Sequence, residues 1–310
     1  MNPPRKRWIW TCAGTVGLLL LATMVYTECW AEQAKTKGYA NTSLLVSGQE
    51  VDDHLGEAGI RILDVRSPGR YAAGHIPGAV NLPIAEITRS INGVPGMLAH
   101  VEEVEQAVGR RGVNRGSTVV IYDDFGGNRA TRLFWVLDYL DHPRVSVLDG
   151  GFGLWKQEGR RTSRDVPKVA IARYQGEPRP DRLADRTWVR SRLKDPSIVL
   201  VDARSPGEFD GKVPGRQVRR PGHIPGAVNV DWVRNLTRAE PRQFRAGAEM
   251  ARAYRLTGVP PDKEVVVYCR TGMRASHTYF LLRLLGYPRV RLYDGSYVEW
   301  SADATLPVVR

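Results

Sequence analysis

The segment Cys269-Arg270-Thr271-Gly272-Met273-Arg274 places a nucleophile, two cations and a flexible glycine within six residues. It follows the apolar run Val265-Val266-Val267-Tyr268 and precedes Ala275-Ser276-His277, so it reads as a loop between a strand and a helix N-terminus. Such a loop turns successive backbone N–H groups inward beside the positive helix end and builds a nest for an anion. A cysteine so placed favours the thiolate, and Arg270 and Arg274 add positive charge for an anionic sulfur or an anionic substrate. The bland alternative, a small buried hydrophobe, accounts for neither the glycine nor the arginines. The chemistry indicated is nucleophilic attack by the Cys269 sulfur. His277 is a second titratable group eight residues on. A thiolate held in a nest needs no base, so a place on the helix face is expected for it.

The elements that position this loop occur twice. LDVRSPGRYAAGHIPGAVNL (63–82) is matched by VDARSPGEFD (201–210) and GHIPGAVNV (222–230). VVIYDDFGGNRATR (119–132) aligns with VVVYCRTGMRASHT (265–278), and VSVLDGGFGLW (145–155) with VRLYDGSYVEW (290–300). The order is the same throughout, so the chain carries a duplicated domain. Asp64 and Asp202 are 138 residues apart, while Gly74 and Gly222 are 148 apart, which puts a ten-residue insertion into 211–221. Strands are expected at Ile60–Val65, Thr118–Tyr122 and Val145–Leu148, with a helix over Arg129–Leu140. The second copy repeats them at Ile198–Val201, Glu264–Tyr268, Val290–Tyr293 and Ala275–Leu285. This alternation implies an α/β fold, each copy a parallel sheet with helices on both faces and its chemistry past the carboxyl ends of the strands. The Arg- and Pro-rich stretch 159–183 is a linker that packs along the first copy.

Length and composition agree with two globular units. The chain has 310 residues, 42% hydrophobic and 25% charged, which excludes a disordered chain and a polytopic membrane protein. Three cysteines exclude a disulfide scaffold and a cysteine-rich zinc centre. The net charge of +12 favours anionic partners. The arginines are scattered and no aromatic-interleaved basic stripe occurs, so nucleic acid is not expected. Residues 1–31 read as an export leader: Arg5-Lys6-Arg7, an uncharged run from Trp8 to Tyr26, then Cys29-Trp30-Ala31. The run is long enough to remain as a membrane anchor over 8–26, so a cleaved signal peptide and an uncleaved anchor both stay open. Either places the body outside the cytoplasm, periplasmic or extracellular. Cleavage after Ala31 leaves Cys269 as the one thiol.

The loop resembles the active loop of the rhodanese family, and the resemblance covers nearly all of 43–310. DVRSPGRYAAGHIPGA, DARSPGEF with GHIPGA, CRTGMRAS and YDGSYVEW carry it. It implies the tandem form: a non-catalytic rhodanese-like domain at 43–158, the linker 159–183, and a catalytic one at 184–310. The family implies sulfur transfer, in which a cysteine takes a sulfane sulfur, becomes a persulfide and passes the sulfur to a nucleophile. Carried over, Cys269 is the nucleophile, and the backbone of Arg270, Thr271, Gly272, Met273 and Arg274 cradles the persulfide. No metal or organic cofactor is required. The expected partners are a small anionic sulfur donor and a thiol or cyanide acceptor. Membrane contact would come only through an uncleaved leader, and the oligomeric state stays open, a monomer among the plausible states. Related phosphatases and arsenate reductases use Cys-x5-Arg, whereas the sixth residue after Cys269 is Ala275.

Arg270 and Arg274 point to thiosulfate as donor, since relatives that use 3-mercaptopyruvate resemble each other in small uncharged residues after the cysteine. Thr271 and Glu208 stand where some tandem relatives carry Lys and Arg, which weakens that preference, with Arg274 offsetting the first loss. A 3-mercaptopyruvate enzyme, or a carrier that holds a persulfide for a partner protein without turnover, are the alternatives.

In the first copy Asp123 stands where Cys269 stands in the second. A carboxylate cannot form a persulfide, and the thiolate nest is expected to be replaced there by DDFGGN, leaving the copy structural or one wall of a cleft. His75 and His223 lie in identical stretches, one of them in the copy without the cysteine, so packing roles are expected. The same logic makes Asp64, Arg66, Asp202, Arg204, Asp149 and Asp294 structural. Trp232 reads equally as a cleft-mouth residue and as core. The insertion, with Lys212, Arg216, Arg219 and Arg220, is expected to be a solvated loop rather than a lip over the site.

Overall fold

A computed structural model of the protein describes residues 32–310. The leader 1–31, with Cys12 and Cys29, lies outside the described residues. The first domain contains α1 (Glu32–Thr36), β1 (Leu45–Val46), α2 (Gly48–Asp53), β2 (Ile60–Asp64), α3 (Pro68–Ala72), β3 (Val80–Asn81), β4 (Thr88–Ile91), β5 (Val94–Leu98), α4 (Val101–Gly109), β6 (Thr118–Tyr122), α5 (Ala130–Tyr139), β7 (Val145–Leu148) and α6 (Gly151–Gln157). The second contains β8 (Leu183–Ala184), α7 (Arg186–Ser191), β9 (Ile198–Asp202), α8 (Pro206–Phe209), β10 (Val228–Asn229), α9 (Gly247–Leu256), β11 (Glu264–Tyr268), α10 (Met273–Leu284), β12 (Val290–Tyr293) and α11 (Ser296–Ala302).

Both five-stranded sheets are parallel and share one topology. The orders are β1-β7-β6-β2-β3 and, read the same way, β8-β12-β11-β9-β10. Even the register repeats: Asp64 is opposite Tyr122 on β2 and β6, and Asp202 is opposite Tyr268 on β9 and β11. The duplicated α/β fold expected from the sequence is the fold found. The antiparallel hairpin β4–β5 is an addition of the first domain. Its counterpart is reduced to one bridge between Leu236 and Phe244.

Central strands Val119–Tyr122 and Val265–Tyr268 are wholly buried because helices cover both sheet faces. One apolar cluster lies outside each sheet, private to its domain, and a third runs continuously between the two. Helices α5 and α10 meet there, with Phe134 edge-on to Phe280 at 4.7 Å. Helix α10 is buried on nearly every side, with Ser276, His277 and Thr278 enclosed together with its apolar residues. It begins at Met273 rather than Ala275 because Gly272, at φ +83°, turns the chain directly into the helix. The segment after α1 also straps the domains together: Lys37 binds Asp149 and the Phe244 carbonyl. The stretch 164–179 has no regular structure and lies along the first domain, where Ala172 donates to the Gly109 carbonyl and Tyr174 is buried.

Candidate active site

Cys269 directly follows β11 and is 1% exposed. Its N–H donates to Ser296 Oγ at 3.2 Å, and its carbonyl accepts from the Tyr297 N–H at 3.0 Å. The Arg270 carbonyl accepts from Val298 N–H at 3.1 Å. The N-terminus of α11 therefore draws the loop's carbonyls to one side. Ser296 holds a left-handed φ of +53° with its hydroxyl tied to the Tyr293 carbonyl, a strained backbone position beside Cys269. The N–H groups of Thr271 and Met273 find no acceptor among the described residues.

The first copy shows what this loop geometry is for. Asp123 Oδ1 accepts from the N–H groups of Phe125 and Gly127, both at 2.9 Å. Its Oδ2 accepts from Arg129 N–H at 2.6 Å and Ala130 N–H at 3.1 Å. The expectation that the nest is lost in this copy is therefore corrected. The nest persists, and the chain's own carboxylate fills it. Burial pushes the Asp123 carboxyl up, against the pull of those four N–H groups. Phe125 and Gly127 correspond to Thr271 and Met273, so the second copy keeps the donors and replaces the internal anion by a thiol.

Cys269 lies at the floor of a cleft of about 470 Å³ lined by Arg270, Thr271, Met273, Arg274, Ser205, Glu208 and residues 213–216. Two further expectations are corrected here. The insertion is a lip over the site: Val213, Pro214, Gly215 and Arg216 line the cleft, while Arg220 is spent on the carbonyls of Trp300, Ser301, Asp303 and Leu306. Arg274 is not a free cation: Glu208 grips its guanidinium at 2.6 and 2.8 Å. Burial alone would raise the Glu208 carboxyl, but Arg274 and the Ser205 hydroxyl hold it down at about 2. Ser205 and Glu208 form a capping box on α8, so Ser205-Pro206-Gly207-Glu208 carried a sequence signal for this carboxylate that the reading above missed. Arg270 reaches the Arg216 carbonyl at 3.2 Å, and neither Arg270 nor Arg216 is in an ion pair among the described residues. The first copy answers with an ion pair of its own, Arg70 to Asp124.

The remaining residues fall into structural roles. Arg66 grips Asp64, and Arg204 grips Asp202, in buried forked pairs. His75 stacks on Tyr71 at 3.9 Å, and His223 on Phe209 at 3.6 Å. His277 is buried between Phe244 and Trp232, and its Nε2 donates to the Gly126 carbonyl at 3.1 Å. Burial drives its imidazole down to about 3, so it stays neutral and is no base. Trp232 is buried against His277 and Phe125 and does not line the cleft. Asp149 and Asp294 each reach into the opposite domain, accepting from the N–H groups of Phe244 and Leu98.

A parallel α/β domain with a cysteine just past the end of its central strand, over an anion nest, is the architecture of a thiol-based transferase. The rhodanese-like domain model matches residues 47–158 and 185–303. The thiosulfate sulfurtransferase of Pseudomonas aeruginosa is 34% identical over 276 residues, covering 87% of this chain and 98% of the relative. The sulfur carrier protein TtuD of Thermus thermophilus is 34% identical over 286 residues, covering 88% and 99%. Among solved structures, wild-type EanB superposes with a TM-score of 0.78 at 26% identity, covering 86% of this chain and 69% of that one. The chain belongs to the rhodanese family, as two such domains in tandem.

Proposed function

We propose that the protein is a sulfurtransferase that moves sulfane sulfur from thiosulfate to a thiol or to cyanide through a persulfide on Cys269. The observation that carries this reading is the pair of nests. The first is filled by four N–H bonds to Asp123; in the second the counterparts of two of those donors, the N–H groups of Thr271 and Met273, find no acceptor among the described residues, while Ser276, the counterpart of a third, donates to the Gly272 carbonyl. In the first half-reaction Sγ attacks the outer sulfur of thiosulfate. The S–S bond breaks and sulfite leaves with its electron pair. The anionic outer sulfur of the persulfide then lies where the Asp123 carboxylate lies in the first copy, against the N–H groups of Thr271 and Met273. In the second half-reaction the acceptor attacks that sulfur and the Cys269 thiolate departs. No step needs a base, in keeping with the neutral His277.

Arg270 and Arg216, neither in an ion pair among the described residues, favour a dianionic donor at the mouth over the singly charged 3-mercaptopyruvate. Thiosulfate sulfurtransferase relatives support the donor. The Thermus relative named as a sulfur carrier supports a second reading, a persulfide held for a partner protein. Steady-state turnover of thiosulfate with cyanide separates the two: many cycles per chain are expected, and a single loading without turnover would favour the carrier.

We also propose export, on the strength of the three cations and the uncharged run of residues 5–26. The N-terminal peptide mass of the protein isolated from its own host distinguishes cleavage after Ala31 from a retained anchor. Recovery of the intact chain in the cytoplasmic fraction would overturn export.

A further inference from the structure

Arg132 belongs to α5 of the first domain and is 0% exposed. Its Nη2 lies 2.7 Å from Asp294 Oδ1 across the domain boundary, as an ion contact, and donates to the Gly96 carbonyl at 2.9 Å. Its Nε and Nη1 have no hydrogen-bond partner among the described residues. Leaving two guanidinium nitrogens buried and unbonded is costly, and an apolar side chain filling the same space would avoid that cost.

The ion pair lies directly beneath the catalytic loop. A methyl group placed on Gly272 would stand 2.9 Å from Asp294 Oδ1 and 3.0 Å from Arg132 Nη1. Two residues beyond Asp294, Ser296 accepts the Cys269 N–H. Asp294 therefore touches the loop at Gly272 and governs it again through Ser296. On its other side Asp294 is held by the first domain: by Arg132, and by the Leu98 N–H at 2.7 Å. Gly96 and Leu98 belong to β5, in the hairpin that the second copy lacks as a sheet. A methyl on Gly96 would also approach the Thr271 carbonyl, at 3.7 Å. In the alignment of the copies Arg132 faces Thr278, which stays within its own domain near Asn235.

We infer that Arg132, in the domain without the cysteine, is a positioning residue for the Cys269 loop, acting through Asp294. The non-catalytic copy thereby sets the height of Gly272 and the aim of the N–H groups around the sulfur. This rests on the sulfurtransferase reading, because the loop must be the reacting one.

The test compares the full chain with its Arg132→Met and Arg132→Lys variants. Melting temperature establishes folding, intact mass follows sulfur loading from thiosulfate, and kinetics with cyanide separate kcat from KM. In folded Arg132→Met, kcat falls by about tenfold to a hundredfold, the scale of a sub-ångström to ångström misplacement. KM for thiosulfate stays within about twofold, since Arg270 and Arg216 are untouched. Arg132→Lys recovers part of kcat by restoring the charge beside Asp294. Where Arg132→Met does not fold, Arg132→Lys decides, because a lysine ammonium ends one bond short of the place of Nη2, which alone meets both Asp294 and Gly96, and kcat must still fall. Wild-type kcat in a folded variant overturns the inference, as does a loss confined to KM. A wild-type chain that takes up no sulfur refutes the sulfurtransferase reading instead.

Discussion

Asp123 and Cys269 occupy the same turn of the two copies, and the carboxylate of the first binds four backbone N–H groups, two of which have counterparts beside Cys269, those of Thr271 and Met273, with no acceptor among the described residues. Asp123 is thus a covalently attached occupant of a site whose twin is open. Asp123→Asn replaces one acceptor oxygen with a donor and strands two N–H groups. The expected loss of stability is about 1–3 kcal/mol, read by denaturant unfolding. An unchanged midpoint would show that the nest contributes nothing to the first domain.

Glu208 removes one cation from the cleft by binding Arg274. Glu208→Gln keeps an acceptor for the capping box and releases the charge. KM for thiosulfate is expected to fall about threefold to tenfold, the scale of one charge acting on a dianion through a half-wet cleft. A KM that stays the same or rises would show that the ion pair has no part in donor choice.

Arg216 comes from the inserted segment, and its charge is in no ion pair among the described residues. Arg216→Ala should raise KM for thiosulfate about fivefold and weaken its dependence on ionic strength, with kcat little changed. Equal kinetics at low and high salt in both proteins would return the insertion to a passive role.

Acid stability follows from two displaced groups. His277 drops from 6.5 to about 3 through burial, so between those values the unfolded chain takes up a proton that the folded one refuses. Its contribution is whole above pH 6.5 and is lost as pH falls toward 3. Glu208, normally at 4.5, is held near 2 by Arg274 against its burial, so its contribution is whole above 4.5 and is lost as pH falls through 2. Urea unfolding from pH 7 to 5 should show stability falling in the wild type, and a smaller slope in His277→Gln. Parallel curves would rule out His277 as the source.

The fold was legible because duplication let each copy check the other: strand positions and the parallel sheets both follow from repeated patterns. Cys269 stood out because position, glycine and cations agreed. The corrections share one physical origin, since each depends on where side chains or loops meet in space. Glu208 is 66 residues from Arg274 and meets it only when α8 folds beside the loop. Its capping box was readable; its partner was not. Arg216 enters the cleft because the insertion folds back over Arg270. Arg132 carried only one hint, the mismatch with Thr278 in otherwise aligned helices. The filled nest at Asp123 was hidden because a carboxylate and a bound anion satisfy the same N–H groups, which composition cannot reveal.

The most direct test of the account is the intact mass of the purified chain after exposure to thiosulfate, alongside Cys269→Ser. The wild type should gain one sulfur atom and lose it on addition of cyanide, while Cys269→Ser stays folded, gains nothing and does not turn over. Sulfur uptake or turnover by Cys269→Ser would contradict the account at its centre.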